Sequence, residues 1–178
     1  MAFYEEAHTQ LIRQYYEQNL LSLNNENTEN GPGSLCWTDE LPKPGFDPNH
    51  VRPCDMWVAA EAQQLAQVSP EMHEEFGLKY ERQWTQNFGL VYYGCCDPLD
   101  GKMKQVRMIP NVRKVSMSPW VNQERGAAEI GQDYVFSRKP SPALLAWDRF
   151  DPEIIRADLQ KTVDICKEHN CSLELILK

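Results

Sequence analysis

Hydrophobic and polar positions in this chain switch between two periods. Residues 5–19 set Leu11, Ile12, Tyr15 and Tyr16 at helical spacing among Glu, Gln and Arg, which predicts an amphipathic helix. Leu20-Leu21-Ser22-Leu23-Asn24 follows as a predicted short strand. Residues 25–53 lose both periods and carry Asn24-Asn25-Glu26-Asn27, Gly31-Pro32-Gly33-Ser34 and Pro42-Lys43-Pro44-Gly45. A loop this long inside a domain is usually a lid or binding segment, and Trp37 and Phe46 need something to pack on. Asp55 suits the N-cap of a helix over 56–66. Ser69-Pro70-Glu71 opens a second helix running to about Asn87, with Phe76, Tyr80 and Trp84 spaced four apart as its inward stripe.

The run Leu90-Val91-Tyr92-Tyr93 reads as a strand buried on both faces, broken by Gly94-Cys95-Cys96-Asp97-Pro98. Beyond it the pattern predicts a helix over 99–109, a strand over 112–118 and a helix over 122–130 stopped by Gly131. A strand over 133–139, a helical turn over 142–146, a helix over 152–168 and a strand over 171–177 complete the chain. Regular alternation of this kind means an α/β fold with parallel strands joined by right-handed helical crossovers. Five strands are visible, whereas an eight-stranded barrel typically takes about 250 residues. The alternation therefore describes either a small open sheet or the C-terminal part of a (β/α)8 barrel, in a single domain spanning 1–178 with 25–53 as its long loop or lid.

Composition narrows the function classes. With 42% hydrophobic and 25% charged residues the chain is ordinary globular protein. A formal charge of -8 disfavours phosphate-backbone binding, so no nucleic-acid partner is expected. No apolar run is long enough to span a membrane, and the Met1-Ala2-Phe3-Tyr4-Glu5-Glu6 start lacks signal-peptide regions, so a cytoplasmic protein is expected. Six cysteines, at 36, 54, 95, 96, 166 and 171, form no CxxC pair or zinc-finger spacing, and no disulfide framework is expected. Cys166 and Cys171 suit small core positions.

Candidate chemistry gathers where strands end, the place an α/β barrel builds its site. Cys95 and Cys96 are candidate catalytic thiols or metal ligands, set against a plain reading as two small residues at a tight corner. Lys139 precedes Pro140 at another strand end, where it suits a carboxylate-binding or basic role as well as a solvated rim. Ser116 and Ser118 share one strand face and point toward a substrate. Asp97, Tyr93 and Gln63 are the remaining polar candidates, and Trp57 and Trp120 are candidate pocket walls. His73 reads as a surface histidine among Glu71, Glu74 and Glu75. No Gly-rich phosphate loop, HExxH or GxSxG occurs, which sets aside nucleotide kinases, zincins and typical serine hydrolases.

Several of these stretches together resemble a known superfamily. Asp55-Met56-Trp57, Gln63, Ser69-Pro70, Tyr92-Tyr93-Gly94-Cys95-Cys96, Ile109-Pro110-Asn111, Ser116-Met117-Ser118-Pro119-Trp120 and Ser137-Arg138-Lys139-Pro140-Ser141-Pro142-Ala143 are similar to a bacterial branch of the uroporphyrinogen decarboxylase-like barrels. That superfamily includes the decarboxylase and the corrinoid and cobalamin-independent methyltransferases. The resemblance implies the C-terminal portion of a TIM barrel, lyase or methyltransferase one-carbon or carboxyl chemistry, a small-molecule or tetrapyrrole-like substrate, and a corrinoid or zinc cofactor. It equally allows a catalytically silent fragment whose missing strands come from a partner chain or a second copy in a dimer. The methyltransferases hold zinc through His-x-Cys and a distant Cys. Tyr93-Gly94-Cys95 stands where His-x-Cys would be, and Ser141 falls near the distant Cys. The aspartate and arginines of the decarboxylase belong to a part of the fold not matched here, so neither activity carries over residue by residue.

Overall fold

The computed structural model describes residues 2–31 and 33–177; Met1, Lys178 and Pro32 of the predicted long loop lie outside them. Helix α1 (Ala2–Glu17) leads into a segment holding a small antiparallel hairpin, β1 (Glu29–Asn30) and β2 (Ser34–Leu35). Strand β3 (Trp57–Ala60) follows a 3-10 turn. A helical stretch then runs in three pieces: α2 (Pro70–His73), a π turn (Glu74–Leu78) and α3 (Lys79–Thr85). Strand β4 (Leu90–Tyr93), α4 (Met103–Val106), β5 (Val112–Met117), α5 (Gln123–Ile130), β6 (Val135–Arg138), α6 (Pro152–Glu168) and β7 (Ser172–Leu175) complete the order.

Strands β3 to β7 form one five-stranded parallel sheet in sequential order, with helices between them, as an α/β fold requires. The sheet does not close on itself, because β3 and β7 are its two edges. Alternation along the strands sorts side chains to two faces. One face, with Ala60, Val91, Tyr93, Val115, Met117 and Phe136, packs against Leu78, Trp84, Met103, Val106, Ala127, Ile130 and Ile165 from the helices. The opposite face carries Trp57 and Leu90, which pack on Cys36 and Leu41 of the long segment.

Three expectations need correcting. No strand forms over 20–24; instead the Asn24 side chain accepts from the Trp57 N–H at 2.9 Å and donates to the Trp57 carbonyl at 3.0 Å, capping the β3 edge. The helix expected over 56–66 is β3 plus a 3-10 turn, Gln63–Leu65. Asp55 caps no α-helix there: it is fully buried, pairs with Arg52 at 2.8 Å and accepts from the Lys43 N–H. Trp57 and Val58 are good strand residues, and pairing of Ala59 and Ala60 with Tyr92 and Tyr93 overrides alanine's helical preference. The third concerns the half-barrel reading, in which strands missing from this chain would leave the inner face of the sheet bare. The β1–β2 hairpin covers it: Ser34 is 1% exposed, and a Cβ on Gly31 would lie 2.5 Å from that of Ala59, so only glycine fits there.

Candidate functional site

The π turn decides what the second helix presents to the sheet. In an α-helix, residues eight apart lie about 80° out of line after two turns. The wider π turn removes much of that offset, and His73 and Glu81 come to face the same strand end. Both bond the Tyr93 hydroxyl, His73 Nε2 at 3.1 Å and Glu81 Oε2 at 3.0 Å. The same shift turns Phe76 outward to 45% exposure, so the expected Phe76, Tyr80, Trp84 stripe does not hold. His73, expected on the surface, is fully buried. Gly77 makes room for this packing, since a Cβ there would meet Leu65, Ala62 and the His73 ring at 3.1–3.2 Å.

Burial sets the charge state of this trio. Removal from water pushes the Glu81 carboxyl up to about 7; the Tyr93 hydroxyl pulls it down more weakly, and the charges of Asp97 and Glu61 add to the rise. Burial, reinforced by the charge of Lys102, pushes His73 down to about 4, so its imidazole is neutral. Tyr93 is driven well above the usual tyrosine range by burial and the neighbouring carboxylates. Lys102 is turned away, donating to the Leu65 and Ala66 carbonyls at 2.8 and 3.2 Å. Two buried polar atoms, His73 Nδ1 and Asp97 Oδ2, have no hydrogen-bond partner.

A cleft of about 330 Å3 opens onto Glu81. Tyr4, His8, Val58, Glu61, Tyr80 and Trp84 also line it, with His8 stacked on Trp84 at 4.5 Å. A neighbouring hollow of about 500 Å3 shares Tyr4, Glu61 and Glu81 and adds Phe76 and Leu65. Both volumes suit a small organic molecule.

Around the corner, the β4 terminus gathers most of the candidates read from the sequence. Gly94, at φ 92, turns the chain out of the strand. The Cys95 N–H donates to Asp97 Oδ1 at 3.1 Å, and the Cys95 carbonyl accepts from Ser116 Oγ at 2.5 Å and Lys139 Nζ at 2.9 Å. Tyr93, Cys95, Cys96, Asp97, Ser116 and Lys139 therefore meet at one place. The backbone N–H that would favour a Cys95 thiolate is spent on the aspartate. Burial, Cys96 and Glu61 hold the Cys95 thiol up at about 12, so it is not an activated nucleophile in this state.

The other candidates lie elsewhere. Trp57 stands at the opposite end of the sheet, beneath Lys114 Nζ at 5.3 Å. Trp120 is 74% exposed, Gln63 sits exposed in its turn, and the Ser118 hydroxyl accepts from the Trp120 N–H. Glu81 and His73 are the residues that sequence reasoning missed. Their one readable signal was a pair of polar residues eight apart on a helix that precedes a strand ending in tyrosine.

A zinc ion does not fit the donors present. Tyr93 is committed to His73 and Glu81, and among the described residues no three His, Cys, Asp or Glu are grouped to hold a metal. Among the described residues, no helix is long and apolar enough to cross a membrane. Comparisons with family models, with curated proteins and with solved structures found no match to this chain.

Proposed function

We propose that the chain carries the strand-end site of a uroporphyrinogen decarboxylase-like barrel wall, and that its chemistry is proton delivery in a decarboxylation of a small carboxylic acid. The carrying observation is the buried His73–Tyr93–Glu81 chain, whose Glu81 opens onto a cleft between β3, α1 and α3. Loss of carbon dioxide leaves a carbanion that needs a proton. A carboxyl held near neutrality is the right donor, since a general acid works best with its pKa near the working pH. Tyr93 orients that acid, and neutral His73 holds the Tyr93 hydroxyl in place from behind. Lys139, buried at the β4 corner and donating to the Cys95 carbonyl, adds a positive charge to the strand ends behind the cleft. Methyl transfer, a corrinoid and a tetrapyrrole-like substrate rest on the resemblance alone.

The test is turnover of small carboxylic acids and porphyrinogen carboxylates, read as carbon dioxide release, in heavy water. The expected result is product carrying one solvent deuteron, with turnover lost in Glu81→Gln and the fold intact. Release undiminished by that substitution, or none with any acid offered, would sink the reading.

A second reading has its own observation. Strand β7 is an open edge, with Leu175 45% and Leu177 75% exposed, which suits a partner chain or second copy adding a strand. Light scattering at micromolar concentration separates the two: a stable monomer removes it.

A further inference from the structure

Neighbouring residues on a strand point to opposite faces, yet the Cys95 and Cys96 sulfurs lie 3.5 Å apart. Gly94 allows this by leaving the strand at φ 92, a conformation L side chains rarely adopt; a Cβ there would also lie 2.4 Å from Leu99 Cδ1. The peptide between the two cysteines is then held at its carbonyl by Ser116 and Lys139. The turn is pinned again by Asp97, through the Cys95 N–H. Cys96 is exposed and Cys95 half-buried, so one thiol meets solvent and the other waits behind it.

We propose that Cys95 and Cys96 are a site of reversible oxidative modification, closing to a vicinal disulfide by exchange with a low-molecular-weight disulfide. The Cys96 thiolate attacks one sulfur of the external disulfide, whose S–S bond breaks; the first small thiol leaves with the proton that Cys96 gave up. Cys95 then loses its proton and attacks the Cys96 sulfur, expelling the second small thiol. Two protein thiols are oxidised and one external disulfide is reduced to two thiols. Burial of Cys95 fixes the order, because the thiol held up at about 12 does not start the exchange.

Geometry also makes the bond easy to reopen. Consecutive Cα atoms are about 3.8 Å apart across a trans peptide, shorter than the usual disulfide separation of about 4.4–6.8 Å. A bond strained in this way is readily reduced, the property of regulatory disulfides.

The full chain is incubated with oxidised glutathione, alkylated, and mapped by mass spectrometry. The expected result is a peptide containing both cysteines that has lost two hydrogens and takes no alkyl group, and that regains both thiols in excess reduced glutathione. Cys95→Ser, which removes the second step, should accumulate a lasting glutathione adduct on Cys96. A lasting adduct on Cys96 in the unsubstituted protein would overturn the proposal. So would hydrogen loss that maps to Cys166 and Cys171, a disulfide between two chains, or unreacted thiols at both positions.

Discussion

Two buried polar clusters sit on opposite faces of one sheet, and they are balanced differently. On the hairpin side, Lys114 Nζ meets Glu174 Oε1 at 3.0 Å, Ser34 Oγ at 3.1 Å and the Leu35 carbonyl at 2.6 Å. Ser137 Oγ donates to the other Glu174 oxygen at 2.8 Å. Opposite charges cancel there, and the hydrogen bonds tie the hairpin to three strands. On the helix side, a carboxyl, a phenol and an imidazole share two hydrogen bonds with no cation among them, and the nearby lysine points at carbonyls. The first cluster compensates its charges; the second is left to be neutralised by shifted protonation, which makes it the candidate site for proton chemistry.

The comparison breaks most sharply at Lys114. Lys114→Ala leaves Glu174 without its cation, held only by the Ser34 and Ser137 hydroxyls, and the Lys114 and Glu174 side chains are only 11% and 20% exposed. A loss of about 3 kcal/mol in denaturant unfolding is expected, with most of it recovered in a Lys114→Met, Glu174→Leu pair.

Glu81→Gln should act the other way. Glu81 binds its proton more tightly folded than unfolded, so its contribution is complete below about 4.5 and is lost as pH rises through about 7. Above that pH the substitution removes a buried charge and should stabilise the protein by roughly 2–3 kcal/mol. His73 has the opposite sign: its contribution is complete above 6.5 and is lost as pH falls through about 4. The two slopes oppose between 4.5 and 6.5, so Glu81→Gln should expose a stability that rises with pH across that window. A flat profile in the variant would contradict the assignment of His73.

Tyr93→Phe leaves both partners of the hydroxyl unsatisfied and should cost about 2 kcal/mol, measured at a pH where Glu81 is protonated. The smallest effect belongs to Trp120→Ala. That ring is 74% exposed and should change stability by less than about 0.5 kcal/mol, with no effect on ligand binding in the cleft.

Much of the fold was legible because hydrophobic period and turn residues agree along most of the chain. Strands β4 to β7, helices α5 and α6 and the parallel order follow from it. Where local signals misled, tertiary contacts had the larger energy. Asp55 reads as a helix cap because carboxylates favour that place, but Arg52 claims it as a buried ion pair. Leu21 and Leu23 read as a strand, yet Asn24 occupies the edge that such a strand would have paired with. The site was half legible. Glycine, adjacent thiols and proline announced the β4 corner, and the structure does place Asp97, Ser116 and Lys139 there. His73 and Glu81 stayed hidden because a π turn has no sequence period of its own, and polar residues flank both positions.

The most direct measurement is the ionisation of the Glu81 carboxyl itself, followed by isotope-edited infrared or NMR titration of the folded chain. A midpoint near 7, rising when Tyr93 loses its hydroxyl and falling when Asp97 is neutralised, is what the uncompensated burial of this carboxyl requires. A midpoint in the ordinary carboxylate range near 4.5 would mean that the cluster is charged and solvated like any surface acid, and the distinction between the two faces would fail.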